Sequence, residues 1–210
     1  MKTPEHPIFL ESVEYIRSQI GFTGLNSVQQ AVLERIIHSS GDLSMQSYLR
    51  FSSNACEEAI TALRKGANIV TDTYMAKAAV SPVAQRTLNS NVKCILDMAP
   101  KSIDSSSTTR SAIGMHQMWL DIEKKEQFLL GPVVLIGSAP SALMTLLDLI
   151  QEGMTKPSLI IGMPVGFIGV SECKTRLLNS DCLHIVLEGS KGGASLAAAT
   201  VNALLKAADY

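Results

Sequence analysis

The sequence predicts an α/β fold, built on an open, doubly wound, mostly parallel sheet of five strands. Three observations predict it. Five short runs rich in Val, Ile and Leu recur from residue 67 onward. Each run ends in polar or Gly/Pro residues, and helix-length segments lie between them.

The runs are ANIVTDT (67–73), VKCILDM (92–98), PVVLIGS (132–138), PSLIIGM (157–163) and LHIVLEG (183–189). They are continuously apolar rather than alternating, as strands covered on both faces must be. Of the intervening segments, 105–125 is polar–apolar at helical spacing, and 141–151 sets Leu143, Leu146, Leu147 and Ile150 on one side. Residues 169–180 make a shorter helix, and 194–208 is rich in Ala and Leu, with high helix propensity. The first 65 residues read as helices only, at roughly 9–20, 26–38 and 54–65. The expected organisation is one domain, with a helical N-terminal part (1–65) on an α/β core (66–210).

A chain of 210 residues can bury a substantial core. With 46% hydrophobic and 18% charged residues it is globular rather than disordered. A net charge of −1 gives no general attraction for nucleic acid or an anionic membrane, so an acidic ligand must be held by a few local cations. The four cysteines form no C-x-x-C pair, which points to neither a zinc site nor a disulfide framework. No cofactor or metal is expected. The start, MKTPEHPIFLES, lacks the apolar stretch of a signal peptide. Residues 133–150 are apolar, but Ser138, Pro140 and Asp148 interrupt them, so they read as a strand and then a helix. A cytoplasmic protein is expected.

In such sheets ligands bind outside the carboxyl ends of the strands. There the sequence places GSAPS (137–141), GMPVGFIGV (162–170) and EGSKGGAS (188–195). Pro140 suits a first helical turn. Backbone N–H groups at loop–helix junctions favour anions, and Lys191 adds a charge. Neither G-x-G-x-x-G nor G-x-x-x-x-G-K-[ST] is present, so a nucleotide site lacks its phosphate motif.

Of four histidines, His6, His116 and His184 read as structural. His38 differs, standing in RIIHSSGD (35–42). Val28, Ala31, Val32, Ile36 and Ile37 make an apolar helix face, and Gly41 supplies a helix stop. A histidine in the last turn faces the negative end of the helix dipole, which favours its protonated form and suits a general acid. A histidine capping its own helix carbonyls fits the spacing equally well. Arg110, in SSSTTRSA (105–112), follows a hydroxyl run at a helix start where N–H groups are unpaired; its partner is a ligand anion or Asp104. Arg50, in LRFSS (49–53), precedes another helix start and reads similarly. Asp72 and Asp97 end strands, where capping the following helix is the simpler role. No Ser/His/Asp spacing or nucleophile elbow is present.

Taken together, SVEYIRSQI (12–20), RIIHSSGD (35–42), LRFSSNACEEAITALRKGANIVTDTYM (49–75), TRSA (109–112), IGSAPSALMTLLDLI (136–150), IIGMPVGFIGVSECK (160–174) and GSKGGASLAAATVNALL (189–205) resemble the precorrin-8X methylmutase family, or precorrin isomerases. The resemblance covers residues 12–205. It implies a flavodoxin-like sheet and a homodimer holding a tetrapyrrole near the subunit interface. The implied reaction belongs to cobalamin biosynthesis. A methyl group moves between adjacent ring C carbons of precorrin-8X or cobalt-precorrin-8, giving hydrogenobyrinic or cobyrinic acid. The migration is intramolecular and implies no cofactor, with cobalt present only as part of the substrate. By position, the family's catalytic histidine is His38, and its substrate-contacting serine and arginine are Ser12 and Arg110. Arg35, Ser39, Ser40, Ser111, Ser138 and Lys191 fall in the same motifs and are expected to bind substrate. The chain departs from the usual pattern at Ser39 and Ser40 (often Thr), Ser138 (usually Asn), Cys173 and Ala194 (each usually Ser). Two other readings are a corrinoid-binding protein without catalysis, and an enzyme for a phosphorylated metabolite that uses GSKGGAS as its anion site.

Overall fold

A strand with neighbours on both edges and helices on both faces has no side open to water, so it must be apolar throughout. Four strands here meet that condition. In the computed structural model, which describes residues 6–103, 108–124 and 130–209, the strands are β1 (Leu49–Phe51), β2 (Ile69–Thr71), β3 (Val92–Cys94), β4 (Val133–Ile136), β5 (Leu159–Gly162) and β6 (His184–Leu187). Their order is β1-β6-β5-β4-β2-β3. Every residue of the inner strands β2, β4, β5 and β6 is buried, whereas both edge strands include half-buried or exposed residues.

The five expected strands are the five parallel ones. The sixth, β1, corrects the expectation that the first 65 residues are helical only. It pairs antiparallel with β6, Leu49 opposite Leu187. Three residues with a single buried position carry no readable periodicity. Their order comes from the neighbour: Ser52 exchanges hydrogen bonds with His184, and Arg50 pairs with Glu188 at 2.6 Å.

The helices are α1 (Pro7–Ile20), α2 (Ser27–Ser40), α3 (Met45–Tyr48), α4 (Ala55–Arg64), α5 (Tyr74–Arg86), α6 (Arg110–Lys124), α7 (Pro140–Gln151), α8 (Val170–Leu178) and α9 (Ala194–Ala208). Strand alternation sends Ile69, Leu135, Ile161 and Ile185 to one face, where α4, α5 and α9 cover them, α2 packs on α9, and α1 packs on α2. Val70, Val134, Ile160 and Val186 face α6, α7 and α8. Both faces are therefore wound. Asp104, the other partner considered for Arg110, and residues 105–107 lie outside the described residues.

Candidate active site

The end of α2 shows why His38 stands where it does. Val32, Leu33, Ile36 and Ile37 are at most 2% exposed, each contributing about 1.5–3 kcal/mol of burial, and they fix which side of the helix meets the core. An Asn26–Gln29 capping box starts the helix, which runs to Ser40, two residues beyond the expected end. Gly41 then takes φ 66°, ψ 18°, a left-handed conformation that costs glycine little. Its N–H donates to the Ile37 carbonyl at 2.8 Å, and the Ser40 hydroxyl donates to the same oxygen at 3.2 Å. The helix is capped without the imidazole.

His38 is exposed instead, on the wall of a cleft of about 540 Å³ between α1 and the end of α2. Ser12, Ile8, Tyr15, Ile37 and Leu43 line the same cleft. The Ser12 hydroxyl donates to its own helix at Ile8 O, 2.9 Å away, which leaves its lone pairs as acceptors. Phe9 sets its ring nearly perpendicular to the imidazole, with centroids 5.1 Å apart. The Arg35 guanidinium lies 3.7 Å over that ring, and the Lys206 ammonium is 5.9 Å from its centre. Thus Ser12 and His38 share one cleft, whereas Arg35 lines the neighbouring one with Phe9, whose ring contacts both Arg35 and His38 and which the sequence motifs did not single out.

Lys191 has a partner inside the chain. Its Nζ donates to Asp42 Oδ2 at 2.5 Å and to Ser44 at 2.7 Å. The bond from Lys191, with further bonds from Ser44, holds the Asp42 carboxyl down at about 2. The pair ties the loop after β6 to the loop after α2. Ser40 is likewise engaged, accepting the Asp42 N–H at 3.2 Å as well as donating to Ile37. Ser39 is exposed beside His38. Arg50, on β1 ahead of α4, donates to the Ser47 and Leu49 carbonyls besides pairing with Glu188.

Arg110 belongs to the other layer, at the start of α6, and is exposed with its Nε donating to Pro100 O at 2.9 Å. Thr109 caps the helix by accepting the Ala112 N–H and hydrogen-bonds Ser141 at 2.6 Å, joining the starts of α6 and α7. Ser111 is half-buried in that first turn. The GSAPS loop differs from expectation. Its N–H groups at Gly137, Ser138 and Ala139 all donate to Asp72 Oδ2, at 3.0, 2.6 and 2.9 Å. An internal carboxylate thus fills the place proposed for a ligand anion, and only the Ser138 side chain is left exposed. Asp72 does not cap its own following helix; Thr73 does, accepting the Ala76 N–H. Burial pushes the Asp72 carboxyl up, against the pull of those three N–H groups. Gly137 permits this close packing, because a Cβ there would lie 2.5 Å from Ala194 Cα. Asp97 pairs with Lys77 at 3.0 Å.

Two other histidines have structural partners. His6 accepts the Ile8 N–H as the cap of α1, and His184 sits in β6 with Nδ1 2.9 Å from the Cys182 carbonyl. His116 is exposed on α6.

Known proteins share this fold. The chain matches the sequence profile of the precorrin-8X methylmutase family over residues 7–207. The chain belongs to the precorrin-8X methylmutase family. It is 37% identical to the cobalt-precorrin-8 methylmutase of Synechocystis sp. across 96% of this chain and 95% of that one. It is 34% identical to the precorrin-8X methylmutase of Pseudomonas aeruginosa, across 94% and 93%. A solved structure of the precorrin-8X methylmutase from Thermus thermophilus superposes with a TM-score of 0.82 at 30% identity, covering 97% of this chain and 98% of that one. As a member of this methylmutase family the chain is an isomerase of cobalamin biosynthesis that shifts a methyl group in a precorrin. Among the described residues no helix is long and apolar enough to cross a membrane.

Proposed function

We propose that this methylmutase uses His38 as its general acid. The substrate is precorrin-8X or its cobalt form, and the methyl group moves between adjacent carbons of ring C. The observation that carries the reading is the imidazole itself: exposed on a cleft wall, beside Ser12, and spared from the helix cap by Gly41 and Ser40. Protonation of a ring nitrogen or conjugated carbon draws electron density from the bond to the migrating methyl, which moves with its bonding pair to the neighbouring carbon. Substrate and product are isomers, so the proton lent by His38 returns to it. Neither nucleophile nor redox partner is needed, and the absence of a Ser/His/Asp arrangement is consistent with that.

A macrocycle bearing several carboxylates needs dispersed cations and donors. Arg35 beside Phe9 and Arg110 at the start of α6 can serve, with Ser12, Ser39, Ser111 and the Ser138 hydroxyl as finer contacts. Lys191 is already paired with Asp42, which lessens the support for an anion site in GSKGGAS and for a phosphorylated metabolite. A second copy of the chain is proposed to complete the cleft. Ile8 and Tyr15, 66% and 64% exposed on α1, are the apolar surface it would cover. The cytoplasm is its proposed location, in keeping with the absence of a membrane-crossing helix among the described residues.

Turnover is the test. Mixed with precorrin-8X, the protein is expected to generate the visible spectrum of hydrogenobyrinic acid. Tight binding of the product with no turnover of either substrate form would leave a corrinoid-binding protein instead. A light-scattering mass near 22.5 kDa at micromolar concentration would refute the dimer.

A further inference from the structure

Lys174, on α8, is 1% exposed and faces no carboxylate among its hydrogen-bond partners. Its Nζ donates instead to two backbone carbonyls of the loop after β6, Gly189 O and Lys191 O, both at 2.7 Å. A buried ammonium is costly, and burial pulls this one down to about 8. Two short bonds to neutral oxygens offset only part of that cost. A methionine would fill similar volume without the penalty, so the cation is doing something other than stabilising the core.

What it holds is specific. The 189–193 loop meets both other loops at the carboxyl end of the sheet: Gly166 N–H donates to Ser190 O, Gly193 N–H to Met163 O, and Gly137 packs against Ala194. The same loop carries the Lys191 side chain to Asp42 and Ser44, directly after the turn that ends α2. We propose that Lys174 is a positioning residue for the methyl shift. Its ammonium fixes the 189–191 backbone, that backbone aims Lys191 at Asp42, and the Lys191–Asp42 tie sets the turn that presents His38 to the cleft. This rests on the reading of His38 given above.

A double-mutant cycle between Lys174→Met and Asp42→Asn, each variant tested for folding by circular dichroism, separates this role from a merely structural one. Alone, Lys174→Met should lower kcat by roughly ten-fold, with KM changed far less. In the Asp42→Asn background, where the tie is already lost, the same change should lower kcat by about two-fold or less. Equal effects in both backgrounds would overturn the proposal, as would a wild-type kcat in Lys174→Met. Should Met at 174 fail to fold, Lys174→Gln removes the ammonium while keeping a polar end too short to span both carbonyls. The same expectations then apply to it. His38→Asn, assayed alongside, keeps the two failures apart: if it loses turnover while the cycle is additive, only the role of Lys174 is wrong. If it keeps turnover, the reading of the site fails first.

Discussion

The Phe9 ring stands edge-on to the His38 imidazole, with centroids 5.1 Å apart and planes at 83°, while the Arg35 guanidinium covers the same ring at 3.7 Å. One aromatic side chain from α1 therefore contacts both the proposed acid and a neighbouring cation. Aromatic pairs of this kind contribute about 0.5–1.5 kcal/mol beyond area burial. Phe9→Leu should lower kcat/KM by about two- to ten-fold. The melting temperature should barely move, because Phe9 is only partly buried. Steady-state kinetics beside a thermal melt checks this; an unchanged kcat/KM would show that the ring orients nothing.

Arg110 offers a charge-assisted bond worth about 1.5–3 kcal/mol to a substrate carboxylate. Arg110→Met should weaken binding of hydrogenobyrinic acid by roughly ten-fold or more and leave the fold intact. An unaltered titration curve would remove Arg110 from the site.

Asp72 accepts three N–H groups, at Gly137, Ser138 and Ala139, of which the first and last bonds are buried. Asp72→Ala strands those donors and should cost about 3 kcal/mol of stability, read as a lower denaturant midpoint. Asp72→Asn keeps an acceptor oxygen and should cost less. Equal midpoints for Ala and Asn would mean that the oxygen does not hold the loop.

Asp42 tests the Lys191 tie by pH. Its carboxyl is held at about 2, below the ordinary 3.8, so its contribution to stability is complete above pH 3.8 and is lost as pH falls toward 2. Carbon NMR of the side-chain carboxyl should show that low midpoint in the wild type and a rise toward 3.8 in Lys191→Met. A midpoint near 3.8 in the wild type would contradict the tie.

Much of this fold was readable in the sequence because burial on two faces leaves a plain mark. The five parallel strands appear as unbroken Val/Ile/Leu runs, and the end of α2 is announced by Gly41 after a buried stripe. What escaped depends on partners distant in the chain. Strand β1 is three residues ordered by β6. Asp72 sits at a strand end, as many helix caps do, yet its partners are 65 to 67 residues further on. A lysine on a short amphipathic helix reads as solvated, and only the fold brings the Gly189 and Lys191 carbonyls to Lys174. Lys191 itself was read correctly as a cation at the carboxyl edge, but its anion is Asp42.

The central claim is that one imidazole supplies the proton for methyl migration, and replacing it alone tests this most directly. Asparagine is close to histidine in size and hydrogen bonding but cannot act as the acid. With His38→Asn, turnover of precorrin-8X should fall by about 10²–10⁴, the usual span of general-acid assistance. Binding of hydrogenobyrinic acid should change little. Turnover at the wild-type rate would contradict the account, leaving His38 a bystander at the end of α2.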